Sequence, residues 1–215
     1  MNQKTILDRN PGIKAEAIAK TRSLDSGVAD LIKRYIQSTM IGGPMIHVSS
    51  LSSLNSVTAG LDSFDLLTLL SPDHPETGWR EFACTRHLRL AFHDIVEPMP
   101  GLIAPNRYLM QAVLDFGRGR EDQRALLIHC WAGISRSSAA AFAIACGRNP
   151  GFERDIAVEL RRRSPSATPN RLMVRLTDDL LQRDGRMVEA IEGIGRGVEA
   201  REGEPYVLPL QWPGV

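Results

Sequence analysis

Cysteine is scarce in this chain: three residues, Cys84, Cys130 and Cys146, odd in number and unevenly spaced. Such a set cannot form a disulfide framework and fits a reducing compartment, where a free thiolate survives. Long apolar runs are missing too. Nothing approaches the roughly 18 consecutive apolar residues of a spanning helix, and the first residues, Met1 to Asp8, lack the apolar core of a secretory signal. A cytoplasmic location is the resulting expectation, with no membrane partner. The chain has little excess charge of either sign, at a formal +1, which gives no bulk reason to expect nucleic acid. His74, His87 and His93 lie close in sequence but without ligand spacing, so no metal and no cofactor is expected. Any special chemistry must be local.

At 215 residues the chain has the length of one packed domain with extensions. Residues 1–43 read as an N-terminal helical extension. Asp25-Ser26 can cap a helix whose apolar face is Leu24, Val28, Leu31, Ile32, Tyr35 and Ile36. Gly42-Gly43-Pro44 then punctuates the chain. The domain proper is expected over 44–195. Short apolar runs at Met45–Val48, Phe64–Leu70 and Leu126–Ile128, and a period-two alternation with one exposed face at His87–His93, predict strands. Helices are predicted from Asn106 to Phe116, Ser137 to Cys146, Phe152 to Arg163, Arg171 to Arg183 and Arg186 to Ile194. A short one is expected within Ser49–Thr58, and Gly117 and Gly119 are expected to stop the one that starts after Pro105. The fold class is therefore α/β: a small, largely parallel central sheet flanked by helices, with a helix-rich C-terminal half. Residues 196–215, rich in Gly and Pro without a packing period, are expected to lie along the surface as a tail.

One stretch organises the rest. Arg124 to His129 is an apolar strand, Cys130 ends it, and Trp131-Ala132-Gly133-Ile134-Ser135 lead to Arg136 and a run of small residues with helix propensity. Strand, tight loop and helix gather backbone N–H groups around an anion. Gly133 permits the backbone angles of a curled loop, and Arg136 supplies a planar fork matched to two phosphate oxygens. The same positive field favours ionised sulfur, so Cys130 is expected to react as the thiolate nucleophile. Ser137 can donate a hydrogen bond to that sulfur and improve it as a leaving group. His129 is read as an orienter of the loop rather than a base, since an ionised thiol needs none.

A leaving alkoxide or phenoxide needs an acid. Asp94 is the first candidate: it ends a strand, heads a loop, and leaves room before Cys130 for a helix and a return strand. Asp73, in a loop that no strand delivers, is second, and Asp65, within or beside a strand, is third. Cys146, on an apolar helix, reads as core. Cys84 is either a structural thiol or a protective disulfide partner for Cys130. Trp131 either lines the mouth of the pocket or packs beneath the loop. Arg161-Arg162-Arg163 fit a solvated helix end.

His129-Cys130-Trp131-Ala132-Gly133-Ile134-Ser135-Arg136-Ser137 resembles the signature of the cysteine-dependent protein tyrosine phosphatases: His-Cys, five residues including a Gly, then Arg-Ser or Arg-Thr. The Gly-x-Ser-Arg-Ser ending and Pro169-Asn170 before a helix are similar to the compact dual-specificity branch. The similarity spans roughly Met45 to Arg183. The resemblance implies a cysteinyl-phosphate intermediate, no metal, no cofactor, and Asp94 as general acid. Its acid loop is not of the Trp-Pro-Asp type, so the role of Asp94 rests on position. The implied substrate is a phosphorylated protein or small phosphoester. A phosphate-binding module without turnover and a phosphatase of phosphoinositides are the alternatives; the absence of Lys from the loop weighs against the second.

Overall fold

The computed structural model describes residues 44–75, 82, 84–118 and 124–212. The expected N-terminal helices lie outside them. The unit described below spans residues 43–211. Its strands are β1 (Met45–Ser49), β2 (Phe64–Leu70), β3 (Cys84–Ala91), β4 (Ala125–His129) and β5 (Tyr206–Pro209). Its helices are α1 (Leu54–Thr58), α2 (Arg107–Arg118), α3 (Arg136–Arg148), α4 (Glu153–Arg163), α5 (Arg171–Leu181) and α6 (Arg186–Ile194). The sheet order is β3-β2-β4-β1-β5.

The first four strands pair in parallel, and β5 closes the edge antiparallel to β1. Every residue of β2 is buried, as expected for a strand covered on both faces. Registers Ser49↔His129, Thr68↔His129 and Leu70↔Ala91 bring four strands to a common C-terminal edge. Their following loops therefore meet at one end of the sheet, where ligands of open α/β sheets bind. The polar residues placed there include Ser49, Ser50, Ser71, Asp94 and Cys130.

Helix α3 is the structural axle. Arg136 through Cys146 are all buried, and it packs on β1, β4, α2, α4 and α5. Only small side chains let one helix touch so many neighbours, and Ser137-Ser138-Ala139-Ala140-Ala141 supplies them. Where α2 crosses, Gly117 provides the clearance: a Cβ there would sit 2.6 Å from Ile144 Cγ2. Gly117 is thus inside α2, which runs on to Arg118 rather than stopping as expected. The glycine serves close packing, a demand that outweighs its poor helix propensity.

The C-terminal segment also departs from expectation. Residues 206–209 do not lie along the surface but form β5, with Met45↔Pro209 and Val48↔Tyr206 in register. Tyr206 and Leu208 are buried. The four-residue strand is too short to show a period in a Pro-rich sequence, so its signal was lost. The segment before it reaches back to the signature loop: Gly203 N–H donates to the Ala132 carbonyl at 2.8 Å.

Candidate active site

The loop 130–136 runs between β4 and α3, and its carbonyls are turned outward to the scaffold. Trp131 C=O accepts from Leu51 N–H (3.0 Å), Ala132 C=O from Gly203, and Ile134 C=O from Thr168 N–H (3.0 Å). Ser135 C=O takes Ala139 N–H at 2.9 Å. No N–H of Trp131 to Ser135 donates to a protein acceptor among the described residues. Peptide units with their carbonyls fixed outward leave their N–H groups for the concave side, the arrangement of an anion nest. Gly133 adopts φ +72°, and a Cβ would lie 2.7 Å from Ser50 N. Both the left-handed backbone and the contact with the β1–α1 turn require glycine there.

Cys130 is buried at the start of this loop, with Sγ 3.1 Å from Ser137 Oγ. His129 is buried just before it. Its Nε2 lies 2.8 Å from Thr68 Oγ1, which is also 3.0 Å from His87 Nε2. Burial, reinforced by His87, His74 and Arg136, pulls the His129 pKa down to about 4 against an opposing backbone hydrogen bond at Cys130. The imidazole is therefore neutral near pH 7, and its buried bond to Thr68 fixes the end of β4 just before the cysteine. Behind the loop, Tyr206 OH donates to Ser138 Oγ at 3.0 Å, and burial raises the phenol's pKa. Tyr206 therefore stays a neutral donor.

Arg136 begins α3 with its guanidinium almost enclosed. Nη1 donates to the Phe92 carbonyl at 2.8 Å and meets Ser71 Oγ at 3.4 Å. Nε is buried without a hydrogen bond, 3.7 Å from Asp94 Oδ2. One edge of the fork is thus anchored by the β2 and β3 loops, and on the other Nε has the long ion pair to Asp94 but no hydrogen bond. An unsatisfied buried cation edge is costly, and an oxyanion in the loop would satisfy it.

Asp94 stands opposite. Its Oδ1 accepts from Ser135 Oγ and from Asn170 Nδ2, both at 2.7 Å, and its side chain is 33% exposed. Asn170 also caps α5, its Oδ1 accepting from Met173 N–H at 3.0 Å, and donates to Ile95 C=O at 3.3 Å. One amide therefore joins the acid loop to a helix end. At the other end of that loop His93 and Ile103 clasp each other: His93 N–H donates to Ile103 C=O (2.7 Å), and Ile103 N–H donates to His93 Nδ1 (2.9 Å).

The site thus brings together Cys130, Arg136, Ser137, His129, Asp94 and the loop Trp131–Ser135. Trp131 lies at the mouth: it is 56% exposed and packs on His74 with ring centroids 5.4 Å apart. Asp65 is buried inside β2 and paired with Arg86 at 2.7 Å. Asp73 is exposed in the loop that follows β2. Cys146 is buried on α3, where burial raises its thiol pKa. Cys84 starts β3, level with Phe64 and so with Ala125 at the opposite end of β4 from Cys130. Five residues of strand separate the two levels, about 16 Å at the usual rise, far beyond disulfide reach. Arg162 and Arg163 pair with Glu159 (Arg162 at 2.7 Å), and Arg161 binds carbonyls of residues 164, 165, 167 and 195. Thr68, Ser71, Asn170 and Tyr206 were not foreseen as site residues. Of these only Asn170 carried a local signal, as a capping residue before a helix.

No family model and no curated protein matches the chain. Solved structures of similar fold include Tk-PTP in its active form, 20% identical over 66% of this chain and 95% of that one, with a TM-score of 0.48. DUSP15 is 15% identical over 69% and 89% of the two chains, TM-score 0.45. The Yvh1 phosphatase domain from Chaetomium thermophilum is 18% identical over 66% and 93%, TM-score 0.45. At such identities the likeness concerns the fold alone, and residue roles rest on the geometry above.

Proposed function

We propose that the chain is a phosphomonoester hydrolase of the cysteine-dependent protein tyrosine phosphatase superfamily, compact dual-specificity type, working through a cysteinyl-phosphate. The observation that carries this reading is the triangle of Cys130, Arg136 and Asp94 around an amide-lined loop, with the guanidinium edge left open toward the acid. In the first step the Cys130 sulfur attacks phosphorus while Arg136 and the loop amides hold the equatorial oxygens, and Asp94 gives its proton to the leaving oxygen. In the second, Asp94 takes a proton from the attacking water, the P–S bond breaks, and Ser137 donates to the departing sulfur. His129 holds the loop and transfers no proton. Phosphorylated tyrosine, alone or with phosphorylated serine and threonine, is the substrate class, and the active form is located in the cytoplasm. The fold extends from residue 44 through β5.

The test is hydrolysis of p-nitrophenyl phosphate without added metal. Wild-type turnover that disappears in Cys130→Ser is expected. Full activity in that variant, or a strict metal requirement, would overturn the mechanism. The Cys130→Ser protein should still bind phosphate, because the amides and Arg136 remain.

A further inference from the structure

Besides helix α3 itself, three segments among the described residues hold the carbonyls of the loop 130–136. Leu51 of the β1–α1 turn holds Trp131 C=O, and Thr168 of the α4–α5 loop holds Ile134 C=O. The third segment lies beyond the stretch that resembles a phosphatase, which ends near Arg183. There, between α6 and β5, Gly203 N–H donates to Ala132 C=O at 2.8 Å. We propose that residues 195–205 are a strap that sets the anion-binding form of the loop, with Gly203 as its positioning residue. The proposal rests on the reading of this loop as a phosphate site.

The peptide unit is the physical link. A trans peptide is planar, so its carbonyl and the following N–H point in opposite directions. Holding Ala132 C=O outward therefore aims Gly133 N–H into the nest. The units on either side of Gly133 are the freest in the loop to turn over, because this residue, at φ +72°, has no Cβ to restrict it. Turned over, the unit before it would present a carbonyl oxygen to a bound phosphate in place of a donor. The hydrogen bond from Gly203 opposes that turn.

The strap is built to deliver this one donor. Gly203 is buried, and a Cβ there would lie 3.3 Å from Gly133 O, Ile134 Cγ1 and Ser166 Oγ, so its backbone lies against the loop itself. Beside it the Glu202 carboxylate accepts from Ser52 Oγ, in the same turn that supplies Leu51 N–H. One dipeptide thus ties two of the loop's outer supports together. Upstream, Arg161 Nη2 donates to Gly195 C=O at 2.8 Å, Gly197 N–H to Thr168 Oγ1 at 3.1 Å, and Val198 N–H to Pro165 C=O at 2.9 Å. A Cβ at Gly197 would lie 2.5 Å from Ser166 O, so the strap is close-packed there too. Downstream, β5 pairs with β1, and Tyr206 OH donates to Ser138 Oγ. Pinned on both sides, Gly203 meets the loop as a preorganised donor rather than as part of a free chain end.

The experiment measures inorganic phosphate binding by calorimetry, with urea unfolding alongside, for the full chain as wild type, Gly203→Pro, Gly203→Ala and Val198→Pro. Proline at 203 removes the N–H that meets the loop; proline at 198 removes a strap N–H that meets Pro165 instead. Gly203→Pro should weaken phosphate about tenfold to hundredfold, the worth of one hydrogen bond to a charged group. Gly203→Ala keeps the donor and should stay within about threefold of wild type, as should Val198→Pro even where it costs as much stability. A Gly203→Pro protein that binds phosphate as well as Val198→Pro overturns the proposal. A second measurement needs no variant. Coupling is reciprocal, so saturating phosphate should slow hydrogen exchange of the wild-type Gly203 amide by about tenfold or more and leave the Val198 amide unchanged. Exchange at Gly203 that ignores phosphate overturns the proposal even where the proline variant does not fold. Wild-type hydrolysis of p-nitrophenyl phosphate separates the two layers. Turnover with phosphate binding indifferent to Gly203 sinks the strap alone. Phosphate binding governed by Gly203 without turnover sinks the phosphatase reading and leaves the strap, and no phosphate binding by wild type sinks both.

Discussion

Acidification from pH 7 to pH 5 is expected to cost the folded chain about 2 kcal/mol through His129 alone. The imidazole is 1% exposed and bonded to Thr68, and its pKa falls from 6.5 to about 4, chiefly through burial. In the unfolded chain it titrates near its ordinary value of about 6.5. As pH falls, the unfolded state therefore takes up the proton first. The stability is fully present above about 6.5 and is lost as pH drops through the window down to about 4. A difference of roughly 2.5 pKa units is worth about 3 kcal/mol in total, of which about 2 kcal/mol has gone by pH 5. The assay is urea unfolding of wild type and His129→Asn at both pH values. His47, whose pKa burial also lowers, is present in both proteins and cancels in the difference. Wild type should lose about 2 kcal/mol more than the variant over the interval. Equal losses would mean that His129 is solvated or charged in the folded state, and the orienting role would fall.

Asp94→Ala should slow alkyl and other poorly leaving phosphate esters about 10²-fold or more while sparing an activated aryl ester. Equal slowing of both would move the acid elsewhere. Asn170 does two jobs that can be separated. Asn170→Ala should lose about 1 kcal/mol of stability with the α5 cap and slow the same poor leaving groups, whereas Asn170→Ser should recover part of the stability but not the rate, because a Ser hydroxyl can cap the helix without reaching Asp94 as the amide does. Recovery of both in urea unfolding and kinetics would make the contact with Asp94 incidental. Gly133→Ala places a Cβ 2.7 Å from Ser50 N at φ +72°. It should cost more than about 1 kcal/mol and abolish inorganic phosphate binding by calorimetry; unaltered binding would show that the loop does not need its curl.

The sheet was readable because its central strands are short, mainly apolar runs, as in Phe64–Leu70 and Leu126–Ile128, and because Gly and Pro breakers separate several of the helices. What the sequence hid depends on tertiary context. Gly117 reads as a stop but is a crossing point for Ile144. Tyr206–Pro209 reads as loop because its order comes from hydrogen bonds to β1 and from one buried hydroxyl on Ser138. The candidate loop 130–136 was legible from spacing, since cysteine, glycine and arginine each answer a separate demand of anion binding. Asp94 was legible as a residue delivered by a strand. Its partners were not: Ser135 lies 41 and Asn170 76 positions away, and no local pattern joins them. Thr68 was likewise invisible, one hydroxyl in an apolar strand whose contacts with two histidines appear only once β2 lies beside β4 and β3.

The covalent step is the heart of the proposed mechanism, and acid-quenched mass spectrometry of the protein during turnover of an aryl phosphate reads it directly. A single phosphoryl adduct is expected on the peptide containing Cys130, more abundant in Asp94→Ala with an activated ester and absent in Cys130→Ser. Sustained turnover with no adduct on Cys130, or with one on another residue, would contradict it.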